Sequence, residues 1–353
     1  AQGTAHRQAP RVGRHLVSAM TAPANDFREA LQAMILRALP DARRIDGLQR
    51  LSAGATLETW SFDAIGEGRT WPLILRRSPG GLRASRSLSL PDEAALVSAL
   101  RAAGAPVAEV VHVVQPDDAL GDGFVMIRIP GETIPRKILR DAAFDSVRPL
   151  LVGQLARTAA TIHAMDVERV PASLVASGPR RSADELGRRC RSFDVPRPVL
   201  ELALCWLDDH MPAEPERVGL VHGDYRHGNV IVGPGDGLRA VLDWEVAHLG
   251  DPIEDLAWLC LPPWRFGLLD LPAGGLGTQQ ALLDAYAQAT SQPVDPQRFR
   301  FWEVLGSLRW AVGCAGMLDW FRSGRDRTVE RAMIARRVSE SEMDLMRLMN
   351  GSA

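Results

Sequence analysis

The stretch of sequence that decides the fold begins LVHGDYRHGNVIV (220–232), passes through a turn-rich spacer and ends AVLDWEVAHLGDPIEDL (240–256). Three side chains in this stretch carry oxygen atoms that could take part in chemistry. Asp224 lies in the first segment, Asn229 follows five positions later, and Asp243 ends a short apolar run in the second. Because these polar groups are interleaved with strand-like runs, the stretch indicates a functional site as well as a fold.

Three short apolar and β-branched segments flank these polar groups and predict strands. They are residues 218–221, 230–232 and 240–242. The Pro-Gly-Asp-Gly run at 234–237 predicts a turn between the second and the third strand. A hairpin of this kind would bring Asn229 and Asp243 close together, although they are distant in the sequence.

The order of these residues suits phosphoryl transfer, which needs a positioned hydroxyl, neutralised phosphates and an in-line geometry. A carboxylate beside the attacking hydroxyl orients it and accepts its proton, and we assign this role to Asp224. Mg²⁺ prefers oxygen ligands, so the Asn229 amide oxygen and the Asp243 carboxylate are the predicted metal ligands. The alternative is that these residues only cap helices or hold loops, but their combination within one predicted hairpin favours the chemistry.

The same residues carry a resemblance to a known family. HGDYRHGN (222–229) and VLDWEVAHLGDPIEDLA (241–257) resemble the catalytic loop and the metal-binding segment of the aminoglycoside phosphotransferase family. The resemblance implies an α+β, bilobed, protein-kinase-like fold with a small antiparallel β lobe and a larger helical lobe. It also implies that Asp224 is the catalytic base and that Asn229 and Asp243 bind magnesium.

The resemblance runs from about Leu48 to the C-terminal helices and implies structural roles for three further residues. By it, His222 supports the catalytic loop, and Asp251 and Asp255 brace that loop from below. Within the family the chain looks most similar to the branch associated with acyl-CoA dehydrogenases, on the basis of an LRR-x-P run in the small lobe and a terminal helix that contains Trp and Arg.

An upstream lobe should hold the phosphates of ATP. A glycine turn at Gly54, between two predicted strands, could cradle oxygens with its backbone N–H groups. The next strand has no lysine, and Arg76 occupies the place of the kinase lysine, with Arg77 as the alternate because the two point to opposite faces. Arginine is a chemically sensible phosphate binder. Glu93, near the start of the next helix, matches the glutamate that pairs with this cation.

A strand that runs into a connector should hold the adenine. In kinase-like proteins the base binds to backbone groups of this connector, which the resemblance puts at Ile127, Arg128 and Ile129. Met126 would line the back of the same pocket. A hydrophobic run of this kind is also typical of plain core, so the prediction depends on the family resemblance.

Composition sets wider bounds on the protein. The 353 residues are 46% hydrophobic and 24% charged, with a formal net charge of −2, which gives no argument for binding nucleic acid or a membrane. No apolar run is long enough to span a bilayer. The four cysteines are scattered, as is typical of reduced thiols in a cytoplasmic protein.

Three regions are expected along the chain. Residues 1–20 are polar and Arg-rich and are predicted to be an extension that is either disordered or foreign to the natural protein. Residues 21–130 should form the nucleotide-binding lobe, and residues 131–353 the catalytic and acceptor-binding lobe.

The phosphate acceptor should be a small molecule with a hydroxyl group. Only residues 244–250 separate Asp243 from Asp251, and no APE motif follows, so there is little room for the segment on which protein kinases dock a peptide. Glu245 and Arg309 are the candidate acceptor contacts. A group of C-terminal arginines suggests an acceptor with a negative group, such as a carboxylate or a CoA phosphate, unless they lie on a solvated face or pair with acidic residues.

Two other functions compete with an ATP- and magnesium-dependent small-molecule kinase. One is an antibiotic-resistance phosphotransferase, which differs only in its acceptor. The other is a pseudokinase that senses nucleotide without catalysis. The absence of the strand lysine favours a pseudokinase, whereas the presence of Asp224, Asn229 and Asp243 argues against it.

Overall fold

A computed structural model describes residues 24–53, 57–78, 87–215, 218–324 and 326–351. The N-terminal part combines two helices with five strands: α1 (Ala24–Ala38), β1 (Ala42–Ala53), β2 (Glu58–Gly66), β3 (Thr70–Ser78), α2 (Leu90–Ala102), β4 (Val110–Val113) and β5 (Asp122–Ile127). The strands form an antiparallel sheet in the order β1-β2-β3-β5-β4. Gly54 and residues 1–20, for which predictions were made, lie outside the described residues.

Alternation along the strands gives this sheet a buried face. Leu73 and Leu75 on β3 are fully buried and pack with Phe62 of β2 and with the apolar side of α1. Side chains at alternate positions point to opposite faces, so Arg76 must lie on the other face from Leu73 and Leu75. That face looks toward α2, whose first turn begins at Ser89, an N-cap that accepts a hydrogen bond from the Asp92 amide.

The C-terminal part is mostly helical: α3 (Pro135–Arg140), α4 (Arg148–His163), β6 (Ala176–Ser177), α5 (Pro179–Cys190), α6 (Pro198–Asp209), β7 (Gly219–Val221), β8 (Val230–Gly233), β9 (Gly237–Val241), β10 (His248–Gly250), α7 (Ile253–Leu259), α8 (Gln279–Thr290), α9 (Pro296–Arg322), α10 (Val329–Ala335) and α11 (Val338–Met349). Its short strands form a three-stranded sheet, β6-β10-β7, and the β8–β9 hairpin. The predicted hairpin is therefore confirmed. The whole is an α+β fold, as predicted.

The 27-residue helix α9 organises the helical part. Phe299, Phe301 and Trp302 on it are almost completely buried, and the helix packs against α7, α6, α10 and α11. Helix α4 packs against α8 and behind β9. These contacts hold the loop after β7, the β8–β9 hairpin and α7 against one another. Among the helices described, none has the length and apolar character that crossing a membrane would require.

Candidate active site

The loop between β7 and β8 brings Asp224 and Asn229 into direct contact. The Asn229 amide nitrogen donates to Asp224 Oδ2 at 2.7 Å and to the Asp224 carbonyl at 2.9 Å. Two further donors reach the carboxylate: Trp258 Nε1 lies 2.7 Å from Oδ1, and Arg226 Nε lies 3.0 Å from both oxygens. The Asp224 carboxylate is thus held in one orientation while its side chain remains about a quarter exposed.

The start of this loop is fastened to a buried carboxylate. Asp255, on α7, accepts hydrogen bonds from the amides of His222 (2.7 Å) and Gly223 (2.9 Å) and contacts His163 Nε2 at 3.1 Å. Burial alone would raise the pKa of Asp255, but the hydrogen bond and charge of His163, with the contribution of His222, outweigh it and hold the pKa below its usual value. Gly223 has φ +81°, and a Cβ there would lie 2.7 Å from the Val246 carbonyl oxygen, so this position needs glycine.

The two other predicted support residues act at different places. The His222 ring lies between the loop and the hairpin: Nε2 donates to the Leu242 carbonyl at 2.9 Å, and Nδ1 accepts from the Asp224 amide at 3.2 Å. Asp251 does not touch the loop in the hydrogen bonds of the described residues. It accepts from Arg298 Nε and Trp302 Nε1, both at 2.6 Å, and so ties the start of α7 to α9.

Asp243 follows β9 and adopts an unusual backbone conformation, with φ +67°. Its Oδ1 accepts a hydrogen bond from Arg76 Nη2 at 2.7 Å. The same guanidinium lies 3.3 Å from Glu93 and 3.6 Å from Glu245. Burial opposes the charge of Arg76, but the carboxylates of Glu93, Asp243 and Glu245 outweigh that effect and raise its pKa, so the residue is a fixed cation.

The choice between the two strand arginines follows from this geometry. Arg77 points to the other face of β3, where it donates to Glu58 at 2.9 Å and lies over the Phe27 ring. Of the two, only Arg76 contacts Asp243 and Glu93.

The connector after β5 has backbone amides of two kinds, paired and unpaired, within the described residues. The amides of Ile127 and Arg128 donate to the carbonyls of Glu109 and Pro72 at 2.8 and 2.9 Å, and the Arg128 side chain bonds Asp63 at 2.5 Å. Among the described residues, nothing accepts a hydrogen bond from the Ile129 amide. Met126 is half-buried beside Phe124, Leu90 and Ala94, between the sheet and α2.

A cavity of about 660 Å³ opens beside Asp224 and Asp243. Glu245 and Arg309 both line it, as do residues from β6, α5, β10, α7 and α9: Ser177, Arg181, Glu185, Arg189, His248, Glu254, Trp258 and Trp310. The Arg309 guanidinium is already engaged by protein groups, with Nη1 2.6 Å from Glu254, Nη2 3.0 Å from the Gly223 carbonyl and its carbon 3.8 Å above the Trp258 ring. Burial would lower the pKa of His248, but Glu254 at 3.2 Å outweighs that effect and raises it.

The donor set is compatible with a magnesium ion. Because the Asn229 amide nitrogen is fixed on Asp224, its Oδ1 is left for another partner, and Asp243 is about a third exposed. Oxygen atoms are the ligands that Mg²⁺ prefers. No group of three or more His, Cys, Asp and Glu side chains within the described ranges could hold a metal alone, so oxygens of a bound phosphate would have to complete the coordination.

Among the residues of the site that escaped the sequence analysis are Arg226, Trp258, Arg181 and Arg189. Arg226 and Trp258 stand within or just after the motifs, so their proximity to Asp224 was a usable signal. Arg181 and Arg189 are on α5, about forty residues upstream, and only tertiary packing brings them to the cavity.

Comparison with known proteins gives a consistent result. The model of the phosphotransferase enzyme family APH matches residues 47–302. Two curated relatives are similar over part of the chain. Acyl-CoA dehydrogenase family member 10 of Mus musculus is 29% identical over 54% of this chain and 18% of its own length. Acyl-CoA dehydrogenase family member 11 of Gallus gallus is 28% identical over 60% of this chain and 27% of its own length. The chain therefore spans less than a third of these relatives. They confirm the resemblance to the branch associated with acyl-CoA dehydrogenases.

Solved structures share the fold at low sequence identity. A Ralstonia eutropha protein assigned to the aminoglycoside phosphotransferases superposes with a TM-score of 0.73 (20% identity, 92% of this chain and 98% of that one). A choline/ethanolamine kinase family protein from Mesorhizobium loti superposes with a TM-score of 0.62, at 18% identity over 93% of this chain and 98% of that one. The aminoglycoside phosphotransferase APH(4)-Ia superposes with a TM-score of 0.60, at 17% identity over 92% of this chain and 99% of that one. The fold is therefore kinase-like, and because the family model covers well over half of the sequence, the chain belongs to the phosphotransferase enzyme family APH.

Proposed function

We propose that the chain is an ATP- and Mg²⁺-dependent kinase that phosphorylates a hydroxyl group of a small molecule. The observation that carries the proposal is that Asp224 and Asp243 line one cavity, with Asn229 hydrogen-bonded to the first and Arg76 to the second. On this proposal residues 21–130 form the nucleotide-binding lobe, and residues 131–353 form the catalytic and acceptor-binding lobe.

In this proposal Asp224 orients the acceptor hydroxyl and takes its proton as the oxygen attacks the γ-phosphorus. Hydrogen bonds from Asn229, Trp258 and Arg226 fix the orientation of the Asp224 carboxylate oxygens. Asn229 Oδ1 and Asp243 would hold the magnesium ion. When bound, Mg²⁺ neutralises charge on the nucleotide phosphates.

The nucleotide would lie between the sheet and the catalytic loop. Arg76, fixed by Glu93 and Asp243, would pair with the nucleotide phosphates. Ile129 would offer its backbone amide to the adenine, which would lie beside Ile127, Arg128 and Met126. The APH(4)-Ia structure named above contains ADP together with hygromycin B, which supports the use of a nucleotide by this fold.

The cavity supports a small acceptor of mixed character. Two arginines of α5, Arg181 and Arg189, line it on either side of Glu185, and an aromatic wall faces them. Within the described residues the Arg189 side chain makes no hydrogen bond or ion pair, so its charge is available to a ligand. An acceptor with a negative group, such as a hydroxy acid or a hydroxyacyl thioester of CoA, would pair with these arginines. The names of the acyl-CoA dehydrogenase relatives agree with a thioester.

A screen for ADP release tests the proposal. Purified protein with MgATP is offered hydroxy acids, hydroxyacyl thioesters, amino alcohols, sugars and aminoglycosides, and the Asp224→Asn variant serves as the inactive control. Transfer of phosphate to an acid or thioester supports the proposal in full. Transfer only to an aminoglycoside supports the resistance enzyme instead. ATP binding without transfer to any acceptor would support the pseudokinase and refute the kinase.

A further inference from the structure

Trp258 connects the base to the wall of the cavity. This residue of α7 is only 6% exposed, and both it and Asp224 line the cavity. Its Nε1 donates to Asp224 Oδ1 at 2.7 Å, while Asn229 donates to the other carboxylate oxygen, also at 2.7 Å. The two donors therefore come from different elements of the fold, and each one hydrogen-bonds a different oxygen of the carboxylate.

Arg309 links the Trp258 ring to the catalytic loop. Its guanidinium carbon lies 3.8 Å above the ring, at cation–π distance, and its Nη2 donates to the carbonyl of Gly223, the residue before the base. Nη1 is fixed by Glu254 at 2.6 Å, on the same helix as Trp258. A single arginine thus touches the loop, the helix and the ring, and it limits how far Trp258 can move relative to Asp224.

The neighbouring tryptophans show that the indole N–H is not needed for packing. Trp264 and Trp310 pack with Trp258 in one aromatic cluster. The ring centroids of Trp258 and Trp264 are 5.6 Å apart, and those of Trp264 and Trp310 are 4.9 Å apart. The Nε1 atoms of Trp264 and Trp310 are buried and have no partner among the described residues. Of the three indole N–H groups, only that of Trp258 makes a hydrogen bond in this part of the chain, and its partner is the proposed base.

We propose that Trp258 is a positioning residue for the Asp224 base, and that Arg309 serves this role through Trp258 rather than by binding the acceptor. The inference rests on the proposed function, since it assigns a task within that reaction. An indole nitrogen can only donate, so its bond to Asp224 holds Oδ1 at a set angle to the cavity. Loss of the N–H should therefore lower the rate of transfer without weakening the binding of either substrate.

The kinetic test compares Trp258→Phe with Trp264→Phe. Both changes shorten a buried indole to a phenyl ring in the same cluster, but only the first removes a hydrogen bond to Asp224. With an acceptor from the screen, Trp258→Phe should lower kcat roughly 10- to 100-fold and leave KM for ATP and for the acceptor nearly unchanged. Trp264→Phe should leave kcat close to that of the wild-type protein. Equal losses of kcat in the two variants, or a Trp258→Phe variant that changes KM alone, would overturn the inference.

A second arm does not depend on turnover. The indole ¹⁵N–¹H signal of Trp258, assigned by its loss in Trp258→Phe, should move when Asp224→Ala removes the acceptor of its hydrogen bond, whereas the indole signal of Trp310 should stay in place. A Trp258 signal that is unchanged in Asp224→Ala contradicts the contact, whether or not phosphate transfer is found. If Trp258→Phe does not fold, 3-benzothienylalanine at position 258 keeps the bicyclic shape and replaces the N–H with sulfur, and the same kinetic outcomes decide the matter. Absence of transfer in the wild-type protein, with a Trp258 signal that moves in Asp224→Ala, counts against the proposed function alone.

Discussion

Replacing Asp255 with asparagine should destabilise the protein and loosen the loop that carries Asp224. The carboxylate is fully buried and accepts from two backbone amides, those of His222 and Gly223, as well as contacting His163. Asparagine has the same shape but only one accepting oxygen, and its NH₂ group would face N–H donors. The asparagine oxygen can take the place of Oδ2, which accepts from both His222 and His163, but its NH₂ group then faces the Gly223 N–H. The NH₂ group and the Gly223 N–H are both left without an acceptor, and each buried donor left unsatisfied costs about 1–3 kcal/mol, so the expected loss is about 2–6 kcal/mol.

The effect should depend on pH with a definite sign. The pKa of Asp255 is lower in the folded protein than in the unfolded chain, where it is about 3.9. The ionised carboxylate therefore stabilises the fold in full above the pKa of the unfolded chain. This stabilisation is lost as the pH falls through the pKa of the folded protein. The difference in Tm between wild type and Asp255→Asn should therefore be constant between about pH 8 and pH 5 and shrink in stronger acid.

Differential scanning fluorimetry across this pH range measures the prediction. Asp145→Asn is the matched control, because it makes the same chemical change in an exposed pair with Arg148 and should hardly alter Tm. An Asp255→Asn protein that melts with the wild type at pH 7 would refute the idea that this carboxylate holds the loop.

Three further predictions concern the same region of the molecule. Asp224→Asn should reduce turnover on the order of 10²–10⁴-fold while calorimetry still detects ATP binding; a full rate would exclude Asp224 as the base. Asp243→Ala should weaken binding of MgATP much more than binding of metal-free ATP, so equal losses for the two forms would remove Asp243 from the metal site. Burial raises the pKa of Glu303 to about 7 against the attraction of Arg300 and Arg265. Since this folded value lies above the unfolded one, wild-type stability should fall as the pH rises from about 4.5 to 7, and Glu303→Gln should stabilise the protein at pH 8 by about 3 kcal/mol at most, with the gain absent near pH 4. A gain in Tm that is independent of pH would contradict the assignment to Glu303.

Local features of this chain were predictable from sequence. The β8–β9 hairpin followed from two β-branched runs on either side of a Pro-Gly-Asp-Gly turn, which needs no information from elsewhere in the chain. Period-2 alternation showed that Arg76 and Arg77 must face opposite sides, but it could not tell which side was inward. That choice depends on Glu93 and Asp243, which come from other elements.

The walls of the cavity were not predictable in the same way. Trp258 lies 34 positions from Asp224 and Arg309 lies 86 from Gly223, and neither pairing is marked by a spacing rule. Arg309 was singled out from sequence as a contact for a negative acceptor, yet its guanidinium nitrogens are engaged by Glu254 and Gly223. The arginines that face the cavity from α5 carried no signal at all, because only the packing of α5 beside α9 brings them there.

The left-handed backbone at Asp243 has a consequence for attempts to stabilise this protein. A non-glycine residue at φ +67° costs on the order of 1 kcal/mol, and glycine or asparagine would adopt the same conformation more easily. A library selected for heat resistance alone should therefore drift toward glycine at this position and discard the carboxylate that the proposed reaction requires. Retention of aspartate under such selection would mean that its bond to Arg76 contributes more to folding than the strained backbone takes away.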